Sequence, residues 1–513
     1  MNQDLSPERN KTTVKKCLAA KVLDGAIVVF LFVFAAAAPN SIAATQSAWL
    51  MGLTLWLLRF AFRPRPKVYR TPVDYFVLGF FILTGLSSFL SYEPMVSIGK
   101  LRAASLFTII YLFVENVPSR RAVRLLALTL ICSCMVNVFY TAGERLLGRA
   151  VKVHGLSVNG PLYQAGLRDG DTLLEVDGQK LREPQDLVNA LLKPEQKPAA
   201  VLTYRHELVP VFKVSRGSLL PGNTVLEQLG IGSWSRGRDW RATGFYGQFL
   251  TYAEVLQLII ALALGIFVSL PVKRSWVGAL LLVALSGFGG ALLLTVTRAS
   301  WLGCLVSTLI VLLLGVRRRA MILIGILAIP LILVGLFILQ QKRNVGFIDQ
   351  TDYSTTWRET VWREGVNLLV SKPRHLLLGI GMDSIKRHWR AWGMFDGGRI
   401  PWSHMHSNLL QLALERGVPA LLLWLAFLFI YARTLWRSLR RGPKLDWIER
   451  GILLGALGGL VGFFTSGLVH YNWGDSEVVM VFYMTMGLAL AVHRHSRGGA
   501  TLLNNSVGTP ETE

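Results

Sequence analysis

The chain is built around apolar blocks that are each about as long as the roughly 20-residue helix that crosses a bilayer. About twelve blocks occur, at roughly 22–38, 46–62, 74–91, 98–115, 122–140, 248–269, 275–296, 299–315, 320–339, 415–433, 451–469 and 475–493. Hydrophobic residues make up 52% of the sequence, which is too apolar for an ordinary soluble protein. The pattern predicts an all-α polytopic membrane protein with about twelve transmembrane helices.

Basic residues mark every second short connection between these blocks, which is the pattern expected for loops on the cytoplasmic side. They are Arg63, Arg65, Lys67, Arg70, Arg120, Arg121, Arg124, Lys273, Arg274, Arg317, Arg318, Arg319, Arg433, Arg437, Arg440, Arg441, Lys444, Arg494 and Arg497. The formal net charge of +23 therefore indicates membrane topology rather than nucleic-acid binding. Both termini are expected in the cytoplasm, and the first block is expected to be an uncleaved anchor.

A long segment on the outer side, at about 141–247, differs in composition from the rest of the chain. Four short β-type runs, at 151–153, 172–176, 200–204 and 209–214, accompany a helix-like stretch at Pro184–Leu192. The dipeptide Asp177-Gly178 predicts a β-hairpin. This segment is therefore expected to be a small β-rich insert.

The insert resembles a bacterial PDZ domain over roughly residues 146–216. The motif residues are Pro161, Ala165, Gly166, Leu167, Gly170, Asp171, Val176, Asp177 and Gly178. PDZ domains bind peptide ends or strands by adding a strand to a sheet, which implies a peptide or protein partner. The carboxylate-binding loop could only be Leu146–Gly148, close to the fifth block, so a rigid spacer or docking module is an equal alternative.

Three arginines lie at the outer mouths of apolar blocks, where charge is costly and usually marks a site. Arg241 precedes the sixth block, Arg298 lies in a very short connection, and Arg358 lies in the second outer loop, at about 340–414. The planar guanidinium offers two parallel bonds to phosphate, so the set predicts a diphosphate site. Each arginine alone has another explanation, which is helix capping, contact with lipid phosphates or extension to the membrane surface.

The stretch 404–417, "HMHSNLLQLALERG", places polar groups at the start of another apolar block. Asn408, Gln411 and Glu415 share one face of a helix. His406, with His404 as a second candidate, would accept a proton as a neutral imidazole. A zinc site is not predicted, because no cysteine or second carboxylate accompanies the two histidines.

Taken together, these motifs resemble the O-antigen ligase and O-antigen polymerase superfamily. The outer-loop motif H-N-x-x-L-Q-x-x-x-E-x-G is matched by His406, Leu410, Gln411, Glu415 and Gly417, with Ser407 in place of the usual Asn. The shorter matches are Arg241 with Gly244 and Phe245, Thr297 with Arg298, Arg358 with Trp362, and the Gly379–Gly381 segment. The resemblance covers about 20–140 by hydropathy and 240–495 by motif.

The resemblance implies transfer of a glycan from undecaprenyl diphosphate outside the inner membrane, with no cofactor and no metal. The acceptor is lipid A–core in ligases and a growing polysaccharide in polymerases, and related enzymes glycosylate proteins. His406 is then expected to deprotonate the acceptor while Gln411 and Glu415 support it, with His404 and Asn408 as secondary candidates. Arg241, Arg298 and Arg358 are expected to hold the diphosphate.

The predicted domains are transmembrane helices 1–5 in 1–145, the PDZ-like domain in 146–216, helices 6–12 in 217–495 and a disordered cytoplasmic tail in 496–513. The active site is expected on the periplasmic side of the inner membrane, in contact with membrane lipids. A transporter is an alternative, but it predicts two symmetric halves with broken helices, and no internal repeat is found. A membrane protease would need a motif such as H-E-x-x-H, which the sequence lacks.

Overall fold

The computed structural model describes residues 7–205, 209–317, 353–441 and 445–506. Its helices are α1 (Pro7–Ala37), α2 (Ile42–Arg59), α3 (Asp74–Phe89), α4 (Pro94–Gly99), α5 (Leu101–Ala104), α6 (Thr108–Asn116), α7 (Arg120–Leu147), α8 (Pro161–Gln164), α9 (Pro184–Leu191), α10 (Val225–Leu229), α11 (Phe249–Ser269), α12 (Trp276–Leu294), α13 (Arg298–Gly315), α14 (Tyr353–Val370), α15 (Pro373–Leu378), α16 (Ile385–His388), α17 (Asn408–Arg416), α18 (Val418–Arg441), α19 (Trp447–Gly467) and α20 (Ser476–Ser506). Its strands are β1 (Arg149–Leu156), β2 (Thr172–Val176), β3 (Gln179–Lys180), β4 (Ala199–Tyr204), β5 (Val211–Val214) and β6 (Ile231–Gly237). The chain forms a helical unit and a second unit at Asn137–Phe249 with Leu293–Val296.

Within the described ranges, nine helical segments are long and apolar enough to cross a membrane, which confirms a multi-pass helical protein. They are Leu18–Ala37, Pro94–Asn116, Arg120–Leu147, Phe249–Ser269, Trp276–Leu294, Arg298–Gly315, Val418–Arg440, Trp447–Gly467 and Ser476–Arg497. The predicted count of twelve is not confirmed. Helices α2 and α3 lie in two further predicted blocks. They are not among the nine segments, because α2 includes the polar Gln46 and Arg59 and α3 has only 16 residues. The predicted block at 320–339 lies outside the described residues.

Two predicted blocks are interrupted where glycine or charge intervenes. The block at 98–115 consists of α4, α5, a 3₁₀ turn and α6, and Lys100 at the first break pairs with Asp383 at 2.8 Å. The block at 415–433 begins only at Val418, because Gly417 has a φ of 84° and separates α17 from α18. The final helix continues to Ser506, beyond residue 495, where the predicted helical region ended.

Glycines allow α19 to approach α11 and α13 at backbone distance in the helical unit. A Cβ on Gly265 would lie 2.4 Å from backbone atoms of Gly451 and Gly455, and one on Gly303 would lie 2.7 Å from the Gly462 carbonyl. Lipid gives no hydrophobic drive for helices to associate, so small residues that permit close van der Waals packing take over this role. The three helices therefore form a tightly packed group in the membrane part.

Replacing Gly455 by Ala should disrupt this packing, because the new Cβ would lie 2.5 Å from the Leu262 Cα. We expect a lower melting temperature of the detergent-solubilised protein and a lower yield from membranes. Gly290→Ala is the matched control, since its Cβ would meet nothing within 4 Å. Equal melting temperatures for the two variants would show that the helix crossing is looser than described.

The second unit contains an antiparallel sheet in the order β5-β4-β2-β1-β6, with β3 paired to β2. All four predicted β runs fall on strands, and the predicted hairpin turns at Asp177-Gly178, where both residues have positive φ. Apolar side chains from the sheet pack with α9 and α10; the buried ones include Val151, Val153, Leu162, Leu173, Leu187, Val201 and Leu229. The fold confirms a small β-rich insert.

Strand β6 was not predicted. It pairs antiparallel with β1 from Arg149↔Gly237 to Leu156↔Ile231, so β1 is an inner strand of the sheet. Helix α10, just before β6, packs on α9. The sheet therefore extends past residue 216, and the boundaries 146–216 stay a prediction.

Candidate active site

The Gly379–Gly381 segment binds the C-terminal end of α17 through its backbone. Ile380 N–H donates to the Leu414 carbonyl at 2.8 Å, and Gly381 N–H donates to the Glu415 carbonyl at 2.9 Å. The last carbonyls of a helix have no partner within that helix, so this segment satisfies them. A Cβ on Gly379 would lie 2.4 Å from the Glu415 carbonyl group, which explains why glycine occupies the position.

The Glu415 carboxyl is buried and has several polar partners. Gln411 Nε2 donates to Oε1 at 2.8 Å, Asp383 N–H donates to the same oxygen at 3.2 Å, and the Tyr471 hydroxyl lies 3.4 Å from Oε2. Burial raises the pKa of Glu415, while the nearby Arg416 opposes that effect. A cavity of about 160 Å³ opens beside Glu415 and is also lined by Lys100, Asp383, Arg416 and Tyr471.

Gln411 connects this carboxyl to the histidine loop. Its Nε2 donates to Glu415, and its Oε1 accepts the Met405 N–H at 2.7 Å. The structure thus brings together Gln411 and Glu415, as the helical spacing predicted. Their contacts reach the backbone directly before His406, so they fix the loop rather than the imidazole itself.

His406 has a left-handed backbone, with a φ of 48°, in the turn before α17. Its Nε2 lies 3.3 Å from the Ser403 hydroxyl, and its ring meets the edge of Trp357 with centroids 4.4 Å apart. Burial lowers the pKa of His406, and the neighbouring His404 and Arg358 lower it further. The burial of the ring thus favours the neutral imidazole, which is the form in which a histidine can act as a base.

His404 lies directly beside His406, with ring centroids 4.1 Å apart. Its Nδ1 accepts the His406 N–H at 3.2 Å, and its ring lies 5.5 Å from that of Tyr471. Burial lowers the pKa of His404 to about 4, and His470 adds to this effect. The two histidines thus form a pair in which His404 contacts both the His406 backbone and the Glu415 neighbourhood.

A second buried carboxylate, Glu254, collects polar groups from three other segments. It accepts from Ser300 Oγ at 3.1 Å, from Ser466 Oγ at 2.8 Å and from Asn472 Nδ2 at 3.2 Å. Asn408 joins this network, because its Nδ2 donates to Asn472 Oδ1 at 2.6 Å. The structure therefore gives Asn408 a role in anchoring the start of α17.

Sequence reasoning missed His470, Tyr471 and Asn472. These residues stand in the run "VHYNWGD" before the last apolar block. Residues 404–415 were identified as a candidate site because polar residues stand at the end of an apolar block. The same criterion would have identified His470, Tyr471 and Asn472.

The predicted arginines occupy different places. Arg358 lies on α14 next to Trp357 and close enough to His406 for its charge to lower the imidazole pKa. Arg298 is the exposed first residue of α13, two residues before Ser300. Arg241 belongs to the second unit, where its guanidinium lies 4.5 Å from the centre of the Phe249 ring. The structure therefore brings Arg358 to the histidine site.

Gly244 and Phe245, which follow Arg241 in its motif, are held by Asn137 from the end of α7. Asn137 Oδ1 accepts the Phe245 N–H at 3.2 Å. Gly244 has a φ of 52°, and a Cβ there would lie 2.2 Å from that same oxygen. The spacing Arg-x-x-Gly-Phe thus reflects a fixed turn that positions the Arg241 backbone.

Two family models match the chain. Residues 281–425 match the family described as O-antigen ligase. This segment is similar to an O-antigen ligase domain. This match includes Arg298, Arg358, the Gly379–Gly381 segment and His406, and residues 153–205 match the PDZ domain. Both resemblances from the sequence are confirmed, whereas no curated protein sequence matches the chain at a significant level.

The ligase match supports a membrane enzyme of the O-antigen ligase or polymerase type. Among the described residues, no group of three or more His, Cys, Asp or Glu side chains is arranged to hold a metal ion. The roles of individual residues are not part of the match.

Replacing Gly379 by Ala should damage the site, because the new Cβ would meet the Glu415 backbone at 2.4 Å and the φ of 73° is strained for alanine. We expect loss of enzyme activity and a lower melting temperature. Gly393→Ala is the control, since Gly393 has a similar φ of 61° but nothing within 4 Å of its Cβ. If both variants lose activity equally, backbone strain rather than the contact with α17 is the cause.

Proposed function

We propose that this protein transfers a glycan from undecaprenyl diphosphate to an acceptor hydroxyl on the outer side of the inner membrane. The proposal rests on one observation, which is the neutral His406 held in a strained turn beside Arg358. A general base needs a free lone pair within reach of the hydroxyl, and a diphosphate leaving group needs positive charge nearby. His406 supplies the lone pair, and the nearby Arg358 supplies the positive charge.

In the proposed reaction, His406 takes the proton of the acceptor hydroxyl as the oxygen attacks the anomeric carbon. The bond from that carbon to the diphosphate oxygen breaks, and undecaprenyl diphosphate leaves with the bonding electrons. The configuration at the anomeric carbon is inverted, and no nucleotide or metal takes part. The protonated His406 then returns its proton to solvent.

The arginines hold the diphosphate in this proposal. Arg358 acts closest to the histidine, and Arg298 and Arg241 are the other two candidates. An anion bound at Arg358 offsets its positive charge, which raises the basicity of His406 when the donor is present. Binding of the donor thus prepares the base for the acceptor.

Gln411 and Glu415 act as positioning residues. Glu415 holds Gln411, and Gln411 holds the Met405 backbone next to His406. Since a misplacement of about 1 Å can cost a hundredfold in rate, fixing this loop has direct catalytic value. His404 supports the same turn through its contact with the His406 N–H.

Lipid A–core is the proposed acceptor of a ligase, and a growing polysaccharide is that of a polymerase. Basic residues of the second outer loop would attract a phosphorylated acceptor; they include Lys372, Arg374, Lys386, Arg387 and Arg390. In a deletion strain, single repeats retained without long chains indicate a polymerase. Polymer left on undecaprenol indicates a ligase.

A peptide or protein partner at the PDZ domain stays a prediction. In this structure β6 already pairs along β1, so a peptide strand must displace β6 or add at another edge. Both termini in the cytoplasm and the active site on the periplasmic side are also part of the proposal, on the basis of loop charge.

We expect His406→Ala to abolish transfer while expression and melting temperature stay near parental values. The reason is that this variant removes the base, whereas His404→Ala leaves it in place and should lower the rate less. Transfer is measured with purified protein, lipid-linked donor and acceptor. A His406→Ala variant as active as the parent would remove His406 from the mechanism.

The pH dependence of the rate provides an independent check. A base must be unprotonated to act, and a lowered pKa keeps His406 unprotonated as the pH falls. The rate constant kcat/KM, which reports the free enzyme, is therefore expected to stay level through pH 6.5, where an ordinary histidine would gain its proton, and to fall only at lower pH. A kcat/KM that halves near pH 6.5 would show that His406 has an ordinary pKa in the free enzyme.

A further inference from the structure

The cavity beside Glu415 lies within the helical unit and has a volume of about 160 Å³. Its walls come from α3, from the break between α4 and α5, from the loop before α16, from the end of α17 and from the start of α20. An engineered protein cavity of about 150 Å³ holds one benzene ring, so this space suits a single six-membered ring. A single sugar residue is a ligand of that size.

Arg416 lines this cavity and has few partners for a buried guanidinium. It is 6% exposed, its Nη2 contacts the Met382 sulfur at 3.3 Å, and the same nitrogen lies 3.9 Å from the Glu415 carboxylate. Within the part of the chain that the structure describes, its Nε and Nη1 have no hydrogen-bond partner. A thioether is a weak acceptor, and buried polar groups are normally hydrogen-bonded. The guanidinium is therefore suited to bind an acceptor group that enters the cavity.

The two carboxylates of the cavity, by contrast, already have partners. Glu415 accepts the Asp383 N–H at 3.2 Å, and the Asp383 carboxylate pairs with Lys100 at 2.8 Å and with Lys386 at 3.0 Å. Counting Arg416, three cations stand against two carboxylates in this cluster. The excess of one positive charge matches a monoanion, which favours a carboxylate over a phosphate group that carries nearly two charges.

Aromatic side chains form much of the apolar wall. The Trp473 ring meets the edge of Phe80 with centroids 6.1 Å apart and that of Tyr483 with centroids 5.6 Å apart, and all three residues line the cavity. Small-molecule sites combine such rings with a few polar groups that fix the orientation of the ligand. A sugar ring can place its C–H groups against these aromatic side chains while a carboxylate on the ring reaches Arg416.

The cavity is connected to the reacting side chain through two ring contacts. Tyr471 lines the cavity, its ring lies 5.5 Å from that of His404, and the His404 ring lies 4.1 Å from that of His406. Arg358, which holds the donor diphosphate in the proposed function, acts on His406 without lining this cavity. The cavity is thus connected to the base and not to the diphosphate-binding arginine, which favours the acceptor as its ligand.

We propose that this cavity binds one carboxylate-bearing sugar residue, a uronic acid, of the acceptor glycan, and that Arg416 selects this residue through charge-assisted hydrogen bonds. The inference rests on the proposed function and names the acceptor class for the same site. Arg416 is then a specificity-determining residue, separate from the base His406 and from the arginines that hold the donor.

The test measures binding of methyl β-glucuronide to the purified full chain in detergent by isothermal titration calorimetry. Methyl β-glucoside is the matched probe, because it has the same ring and carries a hydroxymethyl group where the glucuronide carries its carboxylate. We expect the glucuronide to bind about 10-fold more tightly or better, since a charge-assisted bond contributes about that factor.

Arg416→Met should remove the preference for the glucuronide, because methionine keeps an unbranched apolar chain beside Phe80 but has no donor. Arg102→Met is the control, since it removes the same charge from an exposed position outside the cavity and should keep the preference. Lys100→Met is a second test variant, whose side chain is 49% exposed, so its folding does not depend on that side chain. It should weaken glucuronide binding several-fold, because it removes one of the three cations.

Equal affinity of the parental protein for the two glycosides would overturn the proposal, and so would an unchanged preference in Arg416→Met. Tighter binding of glucose 6-phosphate would overturn the assignment to a carboxylate. Displacement of the glucuronide by an equal concentration of acetate would show an anion site that does not recognise a sugar, which also contradicts the proposal. His406→Ala separates the two hypotheses: it should bind the glucuronide with parental affinity, whereas continued transfer by that variant would refute the proposed mechanism alone.

Discussion

The backbone pairing between the Gly379–Gly381 segment and the end of α17 is the contact on which the candidate active site depends. Helix α17 ends at Arg416 because Gly417 breaks it, and the carbonyls at that end would be costly to leave unpaired in a buried place. Two amides of the Gly-Ile-Gly segment satisfy them. Ser87 of α3 adds a third bond to the Glu415 carbonyl at 2.7 Å. This arrangement holds α17 in place, and with it the polar face that carries Gln411 and Glu415.

From this anchor, a chain of polar contacts leads to the reacting side chain. Glu415 holds Gln411, Gln411 holds Met405, and Met405 precedes His406 in its left-handed turn. The opposite end of α17 is held through Asn408, Asn472 and the buried Glu254. Buried polar groups are tolerated when each has partners, and such networks favour one arrangement over its alternatives. The two carboxylates therefore account for the rigidity of a site that sits at the mouth of membrane helices.

Much of this was predictable from the sequence, because membrane helices and short motifs depend on local composition. The apolar blocks located the helices, and the spacing of Gln411 and Glu415 gave their common face. The break at Gly417 was not predicted, since the Leu377 carbonyl that leaves no room for a Cβ there comes from a distant part of the sequence. The role of Asn408 was also hidden, because its partner Asn472 is distant in sequence. Strand β6 was missed because "IGSWSRG" has few of the apolar residues that signal a strand.

The register of β1 and β6 has a consequence for how the chain accommodates a domain between two membrane helices. Arg149 and Gly237, which stand near the two ends of the insert, are direct neighbours in the sheet. The segment from Arg149 to Gly237 thus begins and ends at almost the same point. Its two ends therefore need no extra separation to accommodate the domain between them. An inserted domain whose ends are already adjacent can be gained, lost or exchanged as one piece. By pairing with β1, strand β6 brings the two ends of the domain together, so that the domain can be gained or lost as one unit.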